Sequence, residues 1–204
     1  MILVVNMNSK KNPFGFSEFV LPVVSIAEEL EKCGVKHYLE VNEKNLESYD
    51  KIILSGSALK NTVTLDQTAR FTWLKDCGKP VLGICAGMQT AGLVFGGRME
   101  KCREIGMTEI ATSKSNLLFS STFKAYALHN YALVPPAEFE VLAKSAKCVQ
   151  AIKHKQKDIY GVLFHPEVRN KEVVQRFIHA FPLTEEYKTD ALTKLLRRLG
   201  NFGK

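Results

Sequence analysis

Short hydrophobic runs alternate with segments of helical periodicity along the first half of the chain. This alternation predicts strands that run parallel in a central sheet, with helices covering both of its faces. Gly34 is predicted to end the first helix, because glycine is common just past a helix C-terminus. The predicted strands are Ile2–Val5, Val35–Glu40, Lys51–Ser55 and Pro80–Ile84, and the predicted helices are Phe16–Lys32, Asp66–Cys77 and Ala86–Phe95.

The pattern changes between about Gly106 and Phe164, where short segments of alternating polarity favour a small region of mixed or antiparallel strands. A helix is predicted at Val173–Ala180, and Pro182 separates it from a further helix at Thr184–Leu199. With 204 residues and 46% hydrophobic content, the chain is expected to form one α/β domain over residues 1–204, in which residues 184–204 are a C-terminal helical extension.

Charge and apolar segments argue against three classes of protein: membrane proteins, secreted proteins and nucleic-acid-binding proteins. No apolar stretch approaches the length of a membrane span, and the N-terminal apolar run precedes its lysines, the reverse of a secretory signal. A cytoplasmic protein without a membrane partner is therefore expected. The net charge of +7 is spread thinly, and its densest piece, KLLRRLGNFGK, matches no nucleic-acid motif. A solvated basic helix is favoured over a nucleic-acid surface, with a contact patch for an acidic protein as the alternative.

The cysteines predict neither a metal site nor a disulfide framework. There are five of them, an odd number, and none forms a CxxC pair. Most are expected to be inert buried thiols. No metal and no cofactor is therefore expected. The cysteines are Cys33, Cys77, Cys85, Cys102 and Cys148.

One cysteine lies in a different setting, in the stretch PVLGICAGMQTAG. Cys85 is at the junction of a predicted strand and a predicted helix, with Gly83 and Gly87 two residues away on either side. Such a corner exposes a nucleophile in a strained backbone conformation, and the glycines remove the collision between strand and helix. The helix N-terminus favours a thiolate and supplies N–H groups for an oxyanion. The alternative is a structural cysteine beside packing glycines.

A base for this thiol is found near the end of the mixed region. In the stretch YGVLFHPEV, His165 ends an apolar strand and Glu167 follows two residues later. The histidine is placed to act as a general base, and the carboxylate to hold the imidazole in the useful tautomer. Pro166 restrains the backbone between them. Taken alone, a surface histidine at a strand end is the simpler interpretation.

GICAGMQT and GVLFHPEV together resemble a class I (triad-type) glutamine amidotransferase domain, over roughly residues 1 to 181. The resemblance implies a flavodoxin-like fold and a triad that hydrolyses the side-chain amide of glutamine and delivers ammonia to a synthetase. In that triad Cys85 would be the nucleophile, His165 the base and then the acid, and Glu167 its orienting group. The backbone N–H of Ala86 would hold the oxyanion, and Gln89 would contact the amino-acid end of the substrate.

Further stretches are similar to the glutaminase subunits of split GMP synthases. These stretches are KIILSG and HNYALVPPAEFEVLAKSAKCVQAIKHKQKDIYGVLFHPEV. The similarity implies a partner synthetase that binds ATP and Mg²⁺ and adenylates xanthosine monophosphate. The oxyanion loop departs from the usual SGGP, because Ser57 follows Gly56. The usual SHxD segment, which the resemblance implies helps to bind glutamine and to communicate with the synthetase, keeps its histidine as His129 but loses its acidic residue. Asn130 and Tyr131 follow His129 and belong to the same implied substrate-binding segment.

Three functions remain open from the sequence. The first is an ammonia-producing subunit that works with a synthetase. The second is a free-standing hydrolase of another γ-glutamyl amide, with a pocket reshaped by Ser57 and Tyr131. The third is a divergent non-catalytic member of the same fold.

Overall fold

A computed structural model describes residues 1–60 and 65–182. Within these residues a nine-stranded sheet has the order β2-β1-β3-β4-β9-β8-β7-β5-β6. The predicted helix at Thr184–Leu199, with the rest of the 184–204 extension, lies outside the described residues. The strands are β1 Ile2–Asn6, β2 Cys33–His37, β3 Lys51–Leu54, β4 Val81–Ile84, β5 Arg98–Thr112, β6 Phe123–Val134, β7 Phe139–Lys144, β8 Val149–His154 and β9 Ile159–Val162; the α-helices are α1 Pro13–Phe19, α2 Leu21–Glu28, α3 Glu43–Leu46, α4 Ala86–Val94, α5 Pro166–Arg169 and α6 Lys171–Ala180.

The first five strands in this order, β2 to β9, pair in parallel, as the βαβ rhythm predicted. Alternate residues of each strand point to opposite faces, and each face has its own apolar cluster. On one face, Val4 and Ile53 pack in a cluster with residues of α2 and α6. On the other, Val5 and Leu54 pack in a cluster with α4 and the segment around Phe71. Helices therefore cover both faces of the parallel part, which confirms the predicted α/β architecture.

The remaining strands pair antiparallel and extend the same sheet, which confirms the predicted change of pattern. The extent of β5 was missed, because the mixed region was predicted to begin only at about Gly106, whereas the strand begins at Arg98. Along β5 most side chains are exposed or half-buried, so hydrophobic patterning gave little signal there. Its long pairing with β6 shifts register between Lys101 and Glu104.

Two predictions in the first βα unit were wrong. The single helix Phe16–Lys32 is two helices, which meet at Val20, with Pro22 in the first turn of the second. Proline is tolerated in a first turn but interrupts a helix interior, which accounts for the break. Gly34 does not end a helix. It lies in β2 paired with Leu3, where a Cβ atom would come within 2.6 Å of the Tyr49 hydroxyl oxygen.

The segment before β4 is helical, as predicted, but it is a 3₁₀ helix at Leu65–Lys75 with a non-helical break at Gln67. Gly78 follows it with φ of 61°, in the left-handed region that glycine adopts readily. A second 3₁₀ helix, Tyr38–Glu40, replaces the end of the predicted second strand. None of the helices in the described residues is both long and apolar enough to cross a membrane.

Candidate active site

Cys85 lies at a strained corner between β4 and α4. Its φ of 46° and ψ of −102° make it the one non-glycine residue with positive φ among the described residues. A Cβ atom on Gly83 would lie 2.6 Å from the carbonyl carbon of Gly87, and one on Gly87 would lie 2.5 Å from the Leu54 carbonyl oxygen. Both glycines are therefore required for the close crossing of strand and helix, as the sequence predicted.

His165 and Glu167 follow β9, the strand next to β4. Because the two strands are parallel and pair Ile84 with Val162, their carboxyl ends meet at one edge of the sheet. The Cys85 N–H donates to the Val162 carbonyl at 2.8 Å, which ties the corner to β9. The His165 N–H donates to the Tyr126 carbonyl on β6, also at 2.8 Å. The backbone of each residue is thus held by a neighbouring strand.

The imidazole of His165 is buried and hydrogen-bonded to Glu167. Nδ1 lies 2.7 Å from Glu167 Oε1, and the residue is 0% exposed. Burial by itself would lower the pKa of His165. The negative charges of Cys85 and Glu167 outweigh burial, and the pKa is raised well above its ordinary value. Nε2 has no hydrogen-bond partner among the described residues, so its proton is available to a substrate.

Gly56 lies against the imidazole of His165 at the end of β3. A Cβ atom there would lie 2.7 Å from Cε1 and 3.1 Å from Nδ1 of His165. The ring of Phe19 also packs against the imidazole, with ring centroids 5.4 Å apart, and its Cδ1 would lie 3.4 Å from the same Cβ atom. A glycine at position 56 therefore leaves the room that this histidine orientation needs.

A small pocket joins the residues that the sequence predicted for substrate binding. Its volume of about 30 Å³ is room for one or two water molecules. Cys85 Sγ lies 3.7 Å from the Leu128 carbonyl oxygen, and Gln89 Nε2 donates to the Tyr131 carbonyl at 2.8 Å, so β6 closes over both side chains. The pocket is lined by Ser57, Ala58, Leu59, Leu65, Cys85, Gln89, Leu128, His129, Asn130 and Tyr131.

Asn8 holds the Gly56–Ala58 loop and was missed by the sequence analysis. Its Nδ2 donates to the Gly56 carbonyl at 3.2 Å, and its Oδ1 accepts from the Ala58 N–H at 3.3 Å. The residue is 1% exposed. Its position just past β1, which pairs with β3, was the available signal, because the ends of adjacent parallel strands meet. Asn8 is therefore a positioning residue for the loop that includes Ser57.

The ring of His129 points to a different set of partners from that expected. It lines the pocket, but its Nδ1 lies 3.0 Å from the Cys102 carbonyl oxygen, and its Nε2 lies 3.4 Å from Glu104 Oε2. Burial lowers the pKa of His129, which keeps the ring neutral. Both ring nitrogens thus face polar groups of β5, a strand whose extent the sequence did not reveal.

The corner, the histidine–carboxylate pair and the fold agree with one family. The sequence profile described as "Glutamine amidotransferase class-I" matches residues 23–183. The chain belongs to the class I glutamine amidotransferases. As a member of this enzyme family it has the predicted α/β scaffold.

Similar proteins within the glutamine amidotransferases include subunits of GMP synthases and a longer GMP synthase. The chain is 34% identical to a glutamine-hydrolyzing GMP synthase subunit from Methanocaldococcus jannaschii, across 80% of this chain and 92% of that protein. It is 31% identical to the corresponding subunit from Thermoplasma acidophilum, across 68% of this chain and 76% of that protein. A 40% identical match to the glutamine-hydrolyzing GMP synthase of Ruminiclostridium cellulolyticum covers 51% of this chain and only 22% of that protein. This chain therefore spans about a fifth of that longer relative.

Solved structures agree with the fold of this amidotransferase. A candidate GMP synthase subunit from Thermoplasma acidophilum superposes with a TM-score of 0.75 at 27% identity, over 87% of this chain and 92% of that one. A glutamine amidotransferase of Thermotoga maritima superposes with a TM-score of 0.63 at 21% identity, over 95% of this chain and 84% of that one. The second likeness concerns the fold alone.

Proposed function

We propose that this chain hydrolyses the side-chain amide of glutamine with Cys85, His165 and Glu167 and passes the ammonia to a partner synthetase. One observation carries the proposal: the strained Cys85 corner and the 2.7 Å His165–Glu167 hydrogen bond follow adjacent parallel strands. A positive φ at a cysteine costs about 1–3 kcal/mol, so the position favours a role beyond packing.

In the first half of the reaction, the Cys85 thiolate attacks the amide carbon of glutamine. Negative charge develops on the amide oxygen, where the N–H of Ala86, the first residue of α4, and the N–H of Ser57 would hold it. The protonated His165 then donates its Nε2 proton to the departing nitrogen. Ammonia leaves, and the glutamyl group remains on sulfur as a thioester.

In the second half, water attacks the thioester while the now neutral His165 takes its proton. Glutamate leaves, and the proton returns the imidazole and thiolate to their starting state. Glu167 keeps the Nδ1–H directed at its carboxylate through both halves, so that Nε2 always faces the reacting atoms. Gln89 and the segment from His129 to Tyr131 would contact the amino-acid end of glutamine.

The partner that the relatives support is the ATP-dependent synthetase of a two-subunit GMP synthase, which would bind ATP and Mg²⁺ itself. The two GMP synthase subunits compared above are covered over 92% and 76% of their lengths, so the likeness extends over most of each of those chains. Backbone carbonyls of β6 contact Cys85 and Gln89 in the pocket. We expect the partner to act on the site through this segment of β6.

Covalent labelling tests the nucleophile. A glutamine analogue with a diazoketone in place of the amide is expected to add once per chain, at Cys85, as read by intact mass and peptide mapping. The Cys85→Ser variant is the matched control, since it removes only the thiol. Labelling that persists in this variant, or that maps to another cysteine, would contradict the assignment.

Ammonia release tests the partner and separates the alternative function. The rate from glutamine is measured with the chain alone and with a GMP-forming synthetase subunit from the same source, loaded with ATP and xanthosine monophosphate. Strong activation supports the proposal. High activity of the chain alone would instead favour a free-standing hydrolase, for which the altered Ser57 and Tyr131 in the pocket wall are the supporting observation. No release in either case, with no labelling, would leave a non-catalytic member.

A further inference from the structure

Three side chains of the kinds that bind transition metals meet behind the pocket wall, Cys102, Glu104 and Cys148, and His129 lies next to Glu104. A sulfur of each cysteine and a carboxylate oxygen of Glu104 all lie within 4.8 Å of one another. Cys148 Sγ is 3.3 Å and His129 Nε2 is 3.4 Å from Glu104 Oε2. Ligand atoms of a tetrahedral site lie at comparable separations, roughly 3.3–3.8 Å, given metal–ligand bonds of about 2.0–2.3 Å.

The fold brings these residues together from separate parts of the sheet. Cys102 and Glu104 are two residues apart on β5, at the irregularity between Lys101 and Glu104, and their side chains approach each other there. His129 on β6 pairs directly with Glu104, next to the register shift. Cys148 precedes β8. The cluster therefore joins β5, β6 and the start of β8 directly behind the Leu128–Tyr131 wall.

The hydrogen bonding of His129 fixes the tautomer that a metal needs. Its Nδ1–H donates to the Cys102 carbonyl at 3.0 Å, which leaves the Nε2 lone pair directed into the cluster. Metal-bound histidines commonly donate their other N–H to a carbonyl or carboxylate in this way.

The carboxylate of Glu104 is buried without a compensating cation. It is 5% exposed, and no lysine or arginine of the described residues lies within ion-pair distance. Ser145, Cys148 and Gln150 donate to it, but each donor is uncharged. A carboxyl group held only by uncharged donors is a suitable oxygen ligand for a divalent cation.

The side-chain amide of Gln150 occupies the space among the four groups. Its Nε2 lies 2.7 Å from Glu104 Oε2 and 3.4 Å from both Cys148 Sγ and His129 Nε2. Its Oε1 is buried and has no partner among the described residues, although the residue is 0% exposed. The positive end of the amide dipole thus lies against Glu104, Cys148 and His129, where a cation would meet the same three groups.

We propose that Cys102, Glu104, His129 and Cys148 bind a divalent transition-metal ion, with Zn²⁺ as the best match. Two sulfurs, one imidazole nitrogen and one carboxylate oxygen form a donor set that favours tetrahedral Zn²⁺. Binding displaces the two thiol protons to solvent, moves the ligands inward by about 1 Å to reach bonding distance and turns the Gln150 amide aside. A surface cleft of about 440 Å³, lined in part by Glu104 and Ser145, gives the ion a route in.

The expected role is structural. The ion would fix the antiparallel strands that carry Leu128 to Tyr131, the segment that closes over Cys85. It takes no part in the chemistry of the triad, so its detection does not depend on whether the chain hydrolyses glutamine.

Cobalt titration of the full chain tests the site. The chain is purified as Cys85→Ser, so that the nucleophile contributes no thiolate, reduced, and dialysed against a chelator. Co²⁺ is expected to bind at about one ion per chain with a thiolate-to-cobalt charge-transfer band and the visible bands of a tetrahedral ion, and Zn²⁺ is expected to bleach them. Elemental analysis before chelation is expected to show about one zinc per chain.

Variants assign the ligands. In the same background, Cys102→Ser and Cys148→Ser are each expected to weaken Co²⁺ binding by at least about tenfold. Glu104→Gln is expected to have the same effect, and it tests the site independently if a cysteine variant misfolds. The control carries Cys33→Ser and Cys77→Ser, two partly buried cysteines outside the cluster, and is expected to keep the full spectrum. Absence of the charge-transfer band in the folded, reduced parent chain would overturn the proposal, as would a band unchanged by loss of both Cys102 and Cys148.

Discussion

Gly56 and His165 lie in contact, such that a Cβ atom on the glycine would approach the imidazole Cε1 to 2.7 Å. The contact joins the loop after β3 to the histidine after β9, across the strand that carries Cys85. Because Phe19 packs on the same ring and His165 is fully buried, the imidazole has little room to move away from a larger residue at position 56.

The Gly56→Ala variant is therefore expected to displace the imidazole and lower kcat for glutamine hydrolysis by roughly a hundredfold, the usual loss for a misplacement of about 1 Å. Gly34→Ala is the matched control, since its Cβ would meet Tyr49 at 2.6 Å outside the site. Both variants are expected to lose stability, but only the first should lose activity per folded molecule. Steady-state ammonia release and thermal unfolding provide the two measurements; equal activities would contradict the prediction.

Cys85 is strained in a way that glycine would relieve. At φ of 46° an alanine keeps the strain, whereas glycine removes most of it. We expect the free energy of unfolding of Cys85→Gly to exceed that of Cys85→Ala by about 1 kcal/mol or more. Both variants are expected to lose glutamine hydrolysis. Urea denaturation of the two variants checks the difference. Equal stabilities would show that the corner relaxes on substitution, and near-normal activity in Cys85→Ala would refute its assigned role.

Glu167 orients a base, whereas His165 is the base. The Glu167→Gln variant keeps an oxygen that can accept from Nδ1–H. Its rate of glutamine hydrolysis is therefore expected to be tenfold to a hundredfold higher than that of His165→Ala. Single-turnover thioester formation and steady-state rates should both show the ranking. Equal losses in the two variants would mean that the carboxylate does more than orient the imidazole.

The raised pKa of His165 depends on the charge of Cys85. Burial opposes protonation, and the Cys85 charge, followed by that of Glu167, reverses its effect. Replacing the thiol by a hydroxyl in Cys85→Ser is therefore expected to lower the pKa of His165. Titration of the imidazole resonances by NMR in the two proteins is the measurement. An unchanged pKa would place the cause elsewhere.

The same shift determines how stability depends on pH. Because the folded-state pKa lies above the ordinary value of 6.5, protonated His165 contributes stability that is complete below pH 6.5 and is lost as pH rises through the folded-state pKa. The wild-type chain is thus expected to exceed Cys85→Ser in unfolding free energy by a margin that shrinks as pH rises through that range. Unfolding curves at several pH values test the sign.

Asn8 is expected to act on catalysis through the loop that it holds. Asn8→Ala removes the bonds to the Gly56 carbonyl and the Ala58 N–H, so kcat should fall more than KM rises. The control is Asn116→Ala, which removes three side-chain-to-backbone bonds, to Lys114, Leu118 and Phe119. If both variants keep full kcat, the loop does not need Asn8 for its orientation.

The sequence by itself determined the parallel half of the sheet and the chemistry of its edge. Strand and helix periodicities are local signals, and the strained corner at Cys85 is marked by its two glycines within five residues. Because the carboxyl ends of neighbouring parallel strands meet, a nucleophile after β4 and a histidine after a later strand could be predicted to share one edge.

Only the tertiary structure decided which residues surround that edge. The contact of Gly56 with His165, the support from Asn8, and the cluster of Cys102, Glu104 and Cys148 around His129 depend on pairings between strands far apart in the chain. Residues on β5 carry little hydrophobic pattern. The register shift that decides on which face of the sheet their side chains lie is a property of the pair β5–β6. Such pairings are set by packing over the whole sheet, so no local pattern encodes them.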